Sequence, residues 1–217
     1  IMKKTHFLPS ILIPVLFLAN SFFFAEKAFA QCLPLDPITT PGSRTFEVPE
    51  GVFSITVEVW GAGGRGGSRT SNGRGGGGGG GAYSQSVFTV TPGQIFNYNV
   101  GAGSNTTAAG EDTWFGSSTT LMAKGGASVP NNNINGGQGG QATAGYGDVR
   151  YSGGNGSNAS NSGTVFSGGG GSSASSLGDG INSTSNTGAS APLGGGDGGN
   201  GTVGNGHSNG QDGDAPG

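Results

Sequence analysis

Fifty glycines, none of them before Gly42, constrain this chain more than any other feature of its sequence. Residues 75–81 are an unbroken run of glycine, and many of the others stand in pairs or triplets. A residue without a side chain buries no apolar surface and loses more backbone entropy on folding than any other residue. The glycine-rich parts are therefore either unfolded or packed through backbone contacts that only glycine permits.

Residues 45–126 carry clear strand patterns. In residues 52–60, Phe53, Ile55, Val57 and Val59 alternate with polar residues, which predicts a half-buried strand with these four side chains on its buried face. The other predicted strands are residues 45–48, 82–90, 95–100, 113–115 and 119–123, with turns at 49–51 and 91–94. No apolar period of 3.6 persists for ten residues after residue 30. We therefore predict an all-β, jelly-roll-like sandwich without α-helix in the mature chain.

A glycine-rich insert, residues 61–81, separates two of these strands and is longer than ordinary loops. Its glycines recur every third residue at 61, 64, 67, 73, 76 and 79, and the same period returns over residues 195–213. Three residues per turn is the period of a polyproline II helix, which has no internal hydrogen bonds. Several such helices side by side could bond to one another, so we predict a polyglycine II bundle packed on the sandwich. The alternative is that the tracts are flexible spacers.

The second half of the chain, residues 127–217, is predicted to be this glycine-rich region, polyglycine II or flexible. Apolar residues interrupt it at 148–151 and 164–166, where further strands are expected and where a solvated linker would need none. We expect the natural protein to continue beyond Gly217, because no apolar strand closes this second half.

The first thirty residues are interpreted as a signal peptide. Lys3 and Lys4 precede an apolar stretch over residues 8–24, and Ala28-Phe29-Ala30 supplies small residues for cleavage before Gln31. A transmembrane anchor and a lipid anchor at Cys32 are the alternatives. The signal peptide predicts a secreted, extracellular or bacterial cell-surface location, with a flexible N-terminal segment over residues 31–44. Cys32 is the single cysteine of the chain, so no internal disulfide can form.

Residues 46–64 read FEVPEGVFSITVEVWGAGG, followed by GGAY at 80–83, VTPGQ at 90–94 and VGAG at 100–103. In these motifs the chain resembles a bacterial secreted glycine-rich domain family. The resemblance implies a jelly-roll sandwich with glycine-rich helices inserted at one strand end, a plan similar to receptor-kinase ectodomains and to the glycine-rich tips of phage tail-fibre adhesins. It also implies recognition or structural roles, and a short closing strand for which this sequence has no counterpart.

The residue pattern does not predict an enzyme, a cofactor or a metal. His207 is the one histidine after the signal peptide, no Ser sits in a nucleophile elbow, and the cations are too scattered for nucleic-acid binding. Residues 194–200 only weakly resemble a calcium-binding repeat, and Asp179 and Asp197 are interpreted as solubilising charges.

Three functions remain open for such a chain. The first is adhesion or a role in extracellular matrix, with a protein or carbohydrate ligand. Exposed aromatics at loop tips would then make contact, and the candidates are Tyr146, Tyr151 and Phe166, whose alternative role is local strand core. The second is a structural or fibre unit that self-assembles, and the third is ice binding. No membrane span is expected after signal cleavage.

Overall fold

The computed structural model describes residues 36–68, 74–160, 165–204 and 214–216 of the chain. The predicted signal peptide, Thr164 and His207 lie outside the described residues. Short alternating segments form the strands, because side chains of successive residues point to opposite faces. The described strands are β1 (Gly42–Glu47), β2 (Ser54–Trp60), β3 (Tyr83–Thr89), β4 (Ile95–Val100), β5 (Thr113–Phe115), β6 (Leu121–Ala123) and β7 (Val149–Tyr151).

The strands form two antiparallel sheets. Sheet 1 has the order β1-β4-β5-β6 and sheet 2 the order β2-β3-β7. The sheets face each other across an apolar core whose fully buried members are Val59, Phe115, Leu121 and Ala123. Phe115 is at the centre of an aromatic cluster, 4.8 Å from Phe96 and 5.5 Å from Phe88 between ring centroids. The predicted all-β fold class is confirmed, and the described residues contain no α-helix, only a short 3₁₀ turn at Ala142–Ala144.

The connections differ at the two ends of the sheets. At one end, short turns join β1 to β2, β3 to β4 and β5 to β6. The turn after β3 is the predicted one, since the Gln94 N–H donates to Thr91 O at 3.0 Å and Gly93 has φ +78°. At the other end, residues 61–82, 101–112 and 124–148 make the connections, and most of the glycine lies there or beyond β7.

The glycine insert continues the β2–β3 hairpin without a change of register. Trp60 pairs with Tyr83 at the end of the ladder, and the N–H groups of Gly61, Gly64 and Gly67 then donate to the carbonyls of Ala82, Gly79 and Gly76. The bonded residues are three apart instead of two. The hairpin therefore passes from β-structure into two polyglycine II segments, residues 61–68 and 74–82.

The segment 74–82, called the central segment below, is surrounded by other extended segments. The carbonyls of residues 75–82 accept hydrogen bonds from N–H groups of three neighbouring segments in turn, at N···O distances of 2.8–3.0 Å. The donors are Gly168, Gly67, Gly137, Gly171, Gly64, Gly140, Ala174 and Gly61, in the order of their acceptors. Three neighbouring segments thus donate to the central segment, and its own N–H groups donate to two more, residues 124–133 and 154–157. The glycine tracts among the described residues form the predicted bundle.

Three strand predictions need correction. Strand β1 begins at Gly42, three residues before the predicted start and within the segment predicted to be flexible. Phe53 lies outside β2, which begins at Ser54, and its side chain is 64% exposed although its position in the alternation places it on the buried face. Strand β6 begins at Leu121, because Ser117–Thr120 closes a turn through the Thr120 N–H. The predicted strand at 148–151 exists as β7 and pairs with β3, whereas Phe166 makes isolated bridges to Ser160 and Val203.

Candidate functional site

The glycine run 75–81 packs backbone against backbone inside the bundle. A Cβ atom built on Gly75, Gly78 or Gly81 would lie 1.7–2.0 Å from a carbonyl oxygen of the 61–68 segment. The other four glycines of the 75–81 run would meet backbone oxygens of segments 135–138 and 169–172 at 1.9–2.2 Å. None of the seven has a positive φ. The run is therefore required by close approach of neighbouring backbones and not by a left-handed conformation.

Polar side chains on the surface of the bundle take the place of missing neighbouring segments. Segment 152–160 carries Ser152, Asn155 and Asn158, three residues apart. Their side-chain oxygens accept the N–H groups of Ala142, Gly139 and Gly136 at 3.0, 2.8 and 2.8 Å. The residue number rises by three from one acceptor to the next and falls by three from one donor to the next. This is the pattern expected for two antiparallel segments with three residues per turn. These polar side chains satisfy backbone donors that no segment covers.

The same arrangement repeats on the next segment outward. Asp179 Oδ1 accepts the Ser152 N–H and Asn182 Oδ1 accepts the Asn155 N–H, both at 2.7 Å. Two hydrogen-bonded rows therefore cross three adjacent segments, one through residues 142, 152 and 179 and one through residues 139, 155 and 182. Asn155, Asn158, Asp179 and Asn182 are all exposed. We call the surface formed by Ser152, Asn155, Asn158, Asp179 and Asn182 the polar face.

A second ladder lies near the C-terminal end of the described chain. Asp197 Oδ1 accepts the Ala191 N–H at 2.6 Å, and Asn200 Oδ1 accepts the Gly188 N–H at 2.7 Å. Asp179 and Asp197 are thus hydrogen-bond acceptors for the bundle backbone, beyond the solubilising role assigned to them from the sequence. The signal that could have found both ladders is the recurrence of Asn or Asp every third residue, in step with the glycines.

The three aromatic candidates do not come together. Tyr146 is 45% exposed and exchanges two backbone hydrogen bonds of 2.9 Å with Met122 beside β6. Tyr151 is half-buried at the end of β7, where its ring stacks at 6.3 Å on Tyr83. Phe166 is half-buried in the bundle. Tyr151 belongs to the junction between sheet 2 and the bundle, and Phe166 to the part of the bundle away from the sheets. Their role in ligand contact stays a prediction.

Tyr83 anchors the junction of sheet and bundle. Its side chain is fully buried, its ring meets Trp60 edge-on at 5.2 Å, and its hydroxyl donates to Glu58 Oε1 at 2.5 Å. Burial raises the pKa of the Tyr83 phenol above its usual value, and the hydrogen bond to Glu58 raises that pKa further. Tyr83 therefore stays neutral over the physiological pH range and has a structural role at this junction.

The described residues offer little for metal or membrane chemistry. Among them, no three His, Cys, Asp or Glu side chains gather closely enough to hold a metal ion. Within the same residues, no helix has both the length and the apolar character needed to cross a bilayer.

A family model for the glycine-rich domain matches residues 39–217. That span contains every described strand and every segment of the bundle. The chain belongs to the glycine-rich domain family. A search of curated proteins finds no match. In this glycine-rich domain, glycines pack backbone against backbone inside the bundle, and exposed polar side chains hydrogen-bond to its outer segments.

Proposed function

We propose that this glycine-rich domain is a secreted, non-catalytic adhesion module that binds an extended extracellular polysaccharide on the polar face. The observation that carries the proposal is the pair of hydrogen-bonded rows through Asn155 and Asn182 and through Ser152 and Asp179. They hold exposed polar side chains at fixed spacing on a rigid backbone support.

The spacing of the polar face suits a ligand with a repeat of its own. Three residues of a polyproline II helix rise about 9 Å. Asn155 and Asn158 are therefore about 9 Å apart along their segment, and Asp179 and Asn182 repeat the same interval on the neighbouring one. Because one side-chain oxygen is fixed by the bundle, the second polar atom of each group is held in place before a ligand arrives. Preorganised groups bind with a smaller entropic cost than mobile ones.

A direct test is a binding assay of residues 31–217 with insoluble polysaccharides such as cellulose and chitin. The triple variant Asn155→Asp, Asn158→Asp and Asn182→Asp keeps the acceptor oxygens of the bundle but removes the amide donors and adds negative charge. We expect binding to weaken by about tenfold or more, because a polysaccharide hydroxyl loses a partner at each position. The matched control places the same charges on exposed sheet positions, as Thr45→Asp, Thr89→Asp and Asn97→Asp.

Retention of binding by the polar-face variant and loss in the control would move the ligand site to the sandwich. The absence of binding to any polysaccharide by the parent domain would refute this proposal. Secretion is tested separately, by fusing residues 1–30 to a reporter enzyme. Export of the reporter with cleavage after Ala30 is the expected outcome, and retention in the membrane would support the transmembrane anchor.

A second candidate is a structural unit of a larger assembly, favoured by the backbone interior of the bundle. Hydrogen bonds run in several directions between segments, so the domain resists deformation along its length and across it. A structural unit would bind no polysaccharide but would assemble with rising concentration in analytical ultracentrifugation. The regular polar rows also leave ice binding as a minor candidate, which thermal hysteresis of the purified domain would reveal.

A further inference from the structure

Several asparagines in the bundle are followed directly by glycine, a pair that can lose the asparagine amide without any enzyme. The backbone nitrogen of the glycine attacks Cγ of the asparagine side chain, and glycine favours this attack because it has no side chain to obstruct the approach. The pairs in the described part of the chain are Asn135-Gly136, Asn155-Gly156 and Asn200-Gly201. Their surroundings decide which of them can react.

The chemistry of the reaction sets two structural conditions. Base removes the proton of the glycine N–H, the nitrogen forms a bond to Cγ, and the bond between Cγ and Nδ2 breaks. The amide nitrogen takes up a proton and leaves as ammonia, and water then opens the succinimide ring to aspartate or isoaspartate. The glycine N–H must therefore be free of its hydrogen bond, and the asparagine side chain must be free to turn toward it.

The Asn155-Gly156 pair is held at both reacting groups. Asn155 Oδ1 accepts the Gly139 N–H at 2.8 Å, which fixes the side chain against the neighbouring segment. The Gly156 N–H donates to the Gly137 carbonyl at 2.9 Å. Both hydrogen bonds must open before the nitrogen can reach Cγ.

The Asn200-Gly201 pair is held in the same way. Asn200 Oδ1 accepts the Gly188 N–H at 2.7 Å. The Gly201 N–H donates to the Asn186 carbonyl at 2.6 Å. In this pair, too, the attacking nitrogen is bonded to the backbone and the side chain is fixed.

The Asn135-Gly136 pair is held at one group only. The Asn135 side chain is exposed and makes no hydrogen bond to another described residue. The Gly136 N–H donates to Asn158 Oδ1 at 2.8 Å, and Asn158 is itself exposed. The side chain under attack is thus free to rotate, and a surface side chain instead of a backbone carbonyl holds the attacking nitrogen.

We infer that Asn135 is a site of spontaneous deamidation, and that Asn158 slows the reaction by holding the Gly136 N–H. Isoaspartate at this position inserts one additional carbon into the main chain, directly before the Gly136 N–H that bonds to Asn158. Aspartate places a negative charge next to the same contact. Both products alter the edge of the polar face, whether or not that face binds a polysaccharide.

The test follows deamidation of residues 31–217 at mildly alkaline pH, in the folded state and in urea. Proteolytic digestion and mass spectrometry of timed samples give the conversion at each Asn-Gly pair. In the folded domain we expect Asn135 to convert at least about fivefold faster than Asn155 and Asn200, because fewer hydrogen bonds must open. In urea we expect the three rates to be similar, because glycine follows each asparagine.

A matched pair of variants tests the role of Asn158. Asn158→Ala releases the Gly136 N–H, and we expect conversion at Asn135 to become about fivefold faster. Asn155→Ala removes an acceptor from the same segment but releases the Gly139 N–H, which follows Gln138. This control should leave the rate at Asn135 close to that of the parent.

Faster conversion of Asn155 or Asn200 than of Asn135 in the folded parent would overturn the inference. This ranking needs no variant, so it stands even if Asn158→Ala fails to fold. Equal acceleration at Asn135 by both alanine variants would also overturn it, because general opening of the bundle would then control the rate. So would an Asn158→Ala domain that deamidates at the rate of the parent.

Discussion

At the scale of single residues, the glycines differ in whether their surroundings leave room for a Cβ atom. A Cβ on Gly78 would lie 2.0 Å from the Gly64 carbonyl oxygen, whereas one on Gly103 would come no closer than 4.0 Å to the Gly63 oxygen. We expect Gly78→Ala to lower the free energy of unfolding by about 3 kcal/mol or more, because two backbones must separate. Gly103→Ala is the control and should change it by less than about 1 kcal/mol. Urea denaturation of both variants measures the difference, and equal stability would contradict the tight bundle.

Tyr83 predicts a loss of stability in alkali. Its pKa is raised in the folded state by burial and by the Glu58 hydrogen bond, while an unfolded tyrosine ionises near about pH 10. The folded state then holds its proton more tightly, so this contribution to stability is complete below about pH 10 and is lost as the pH rises above it. Between about pH 8 and pH 12, the free energy of unfolding should fall more steeply with pH for the parent than for Tyr83→Phe. Urea denaturation at each pH measures it. Parallel curves would rule out this role for Tyr83.

At the scale of elements, the polar ladders stabilise the outer segments. Asn155→Ala removes the partner of the Gly139 N–H, and we expect a loss of about 1 kcal/mol in the free energy of unfolding. Asn155→Asp keeps an oxygen acceptor at the same position and serves as the control. Thermal denaturation should rank the parent and Asn155→Asp together above Asn155→Ala. If both variants lose the same stability, the hydrogen bond to Gly139 is not the cause.

The sequence predicts where the strands and glycine segments lie better than it predicts which of them become neighbours. Alternation locates β2 and β3, and the threefold glycine period predicts the segments 61–68 and 74–82, because both depend on local geometry. Exposure of Phe53 could not be predicted, since it depends on which strand faces it across the core. The pairing of Asn155 with Gly139 and of Asn182 with Asn155 depends on which segments become neighbours, and the period alone does not specify that.

At the scale of the whole molecule, sandwich and bundle should unfold as one unit. The β2–β3 hairpin continues into the bundle in the same register, and β7 leads directly into segment 152–160. We expect amides such as those of Gly77, Gly80 and Gly137 to exchange as slowly as those of Val57 and Phe88, because both sets open only on global unfolding. Hydrogen exchange read by NMR measures this. Fast exchange confined to the glycines would mean that the tracts are tethers.

The threefold register also limits how a domain of this kind can change in length. Deleting one or two residues of the 75–81 run would move Ala82 to the place of Gly81 or Gly80, where a Cβ would lie 1.7–1.9 Å from a neighbouring backbone oxygen. A change of three residues, matched by three on the paired 61–68 segment, preserves the pairing of these two segments and alters their length by about 9 Å. Length variation in related chains should therefore come in multiples of three codons, so that the bundle grows by whole layers.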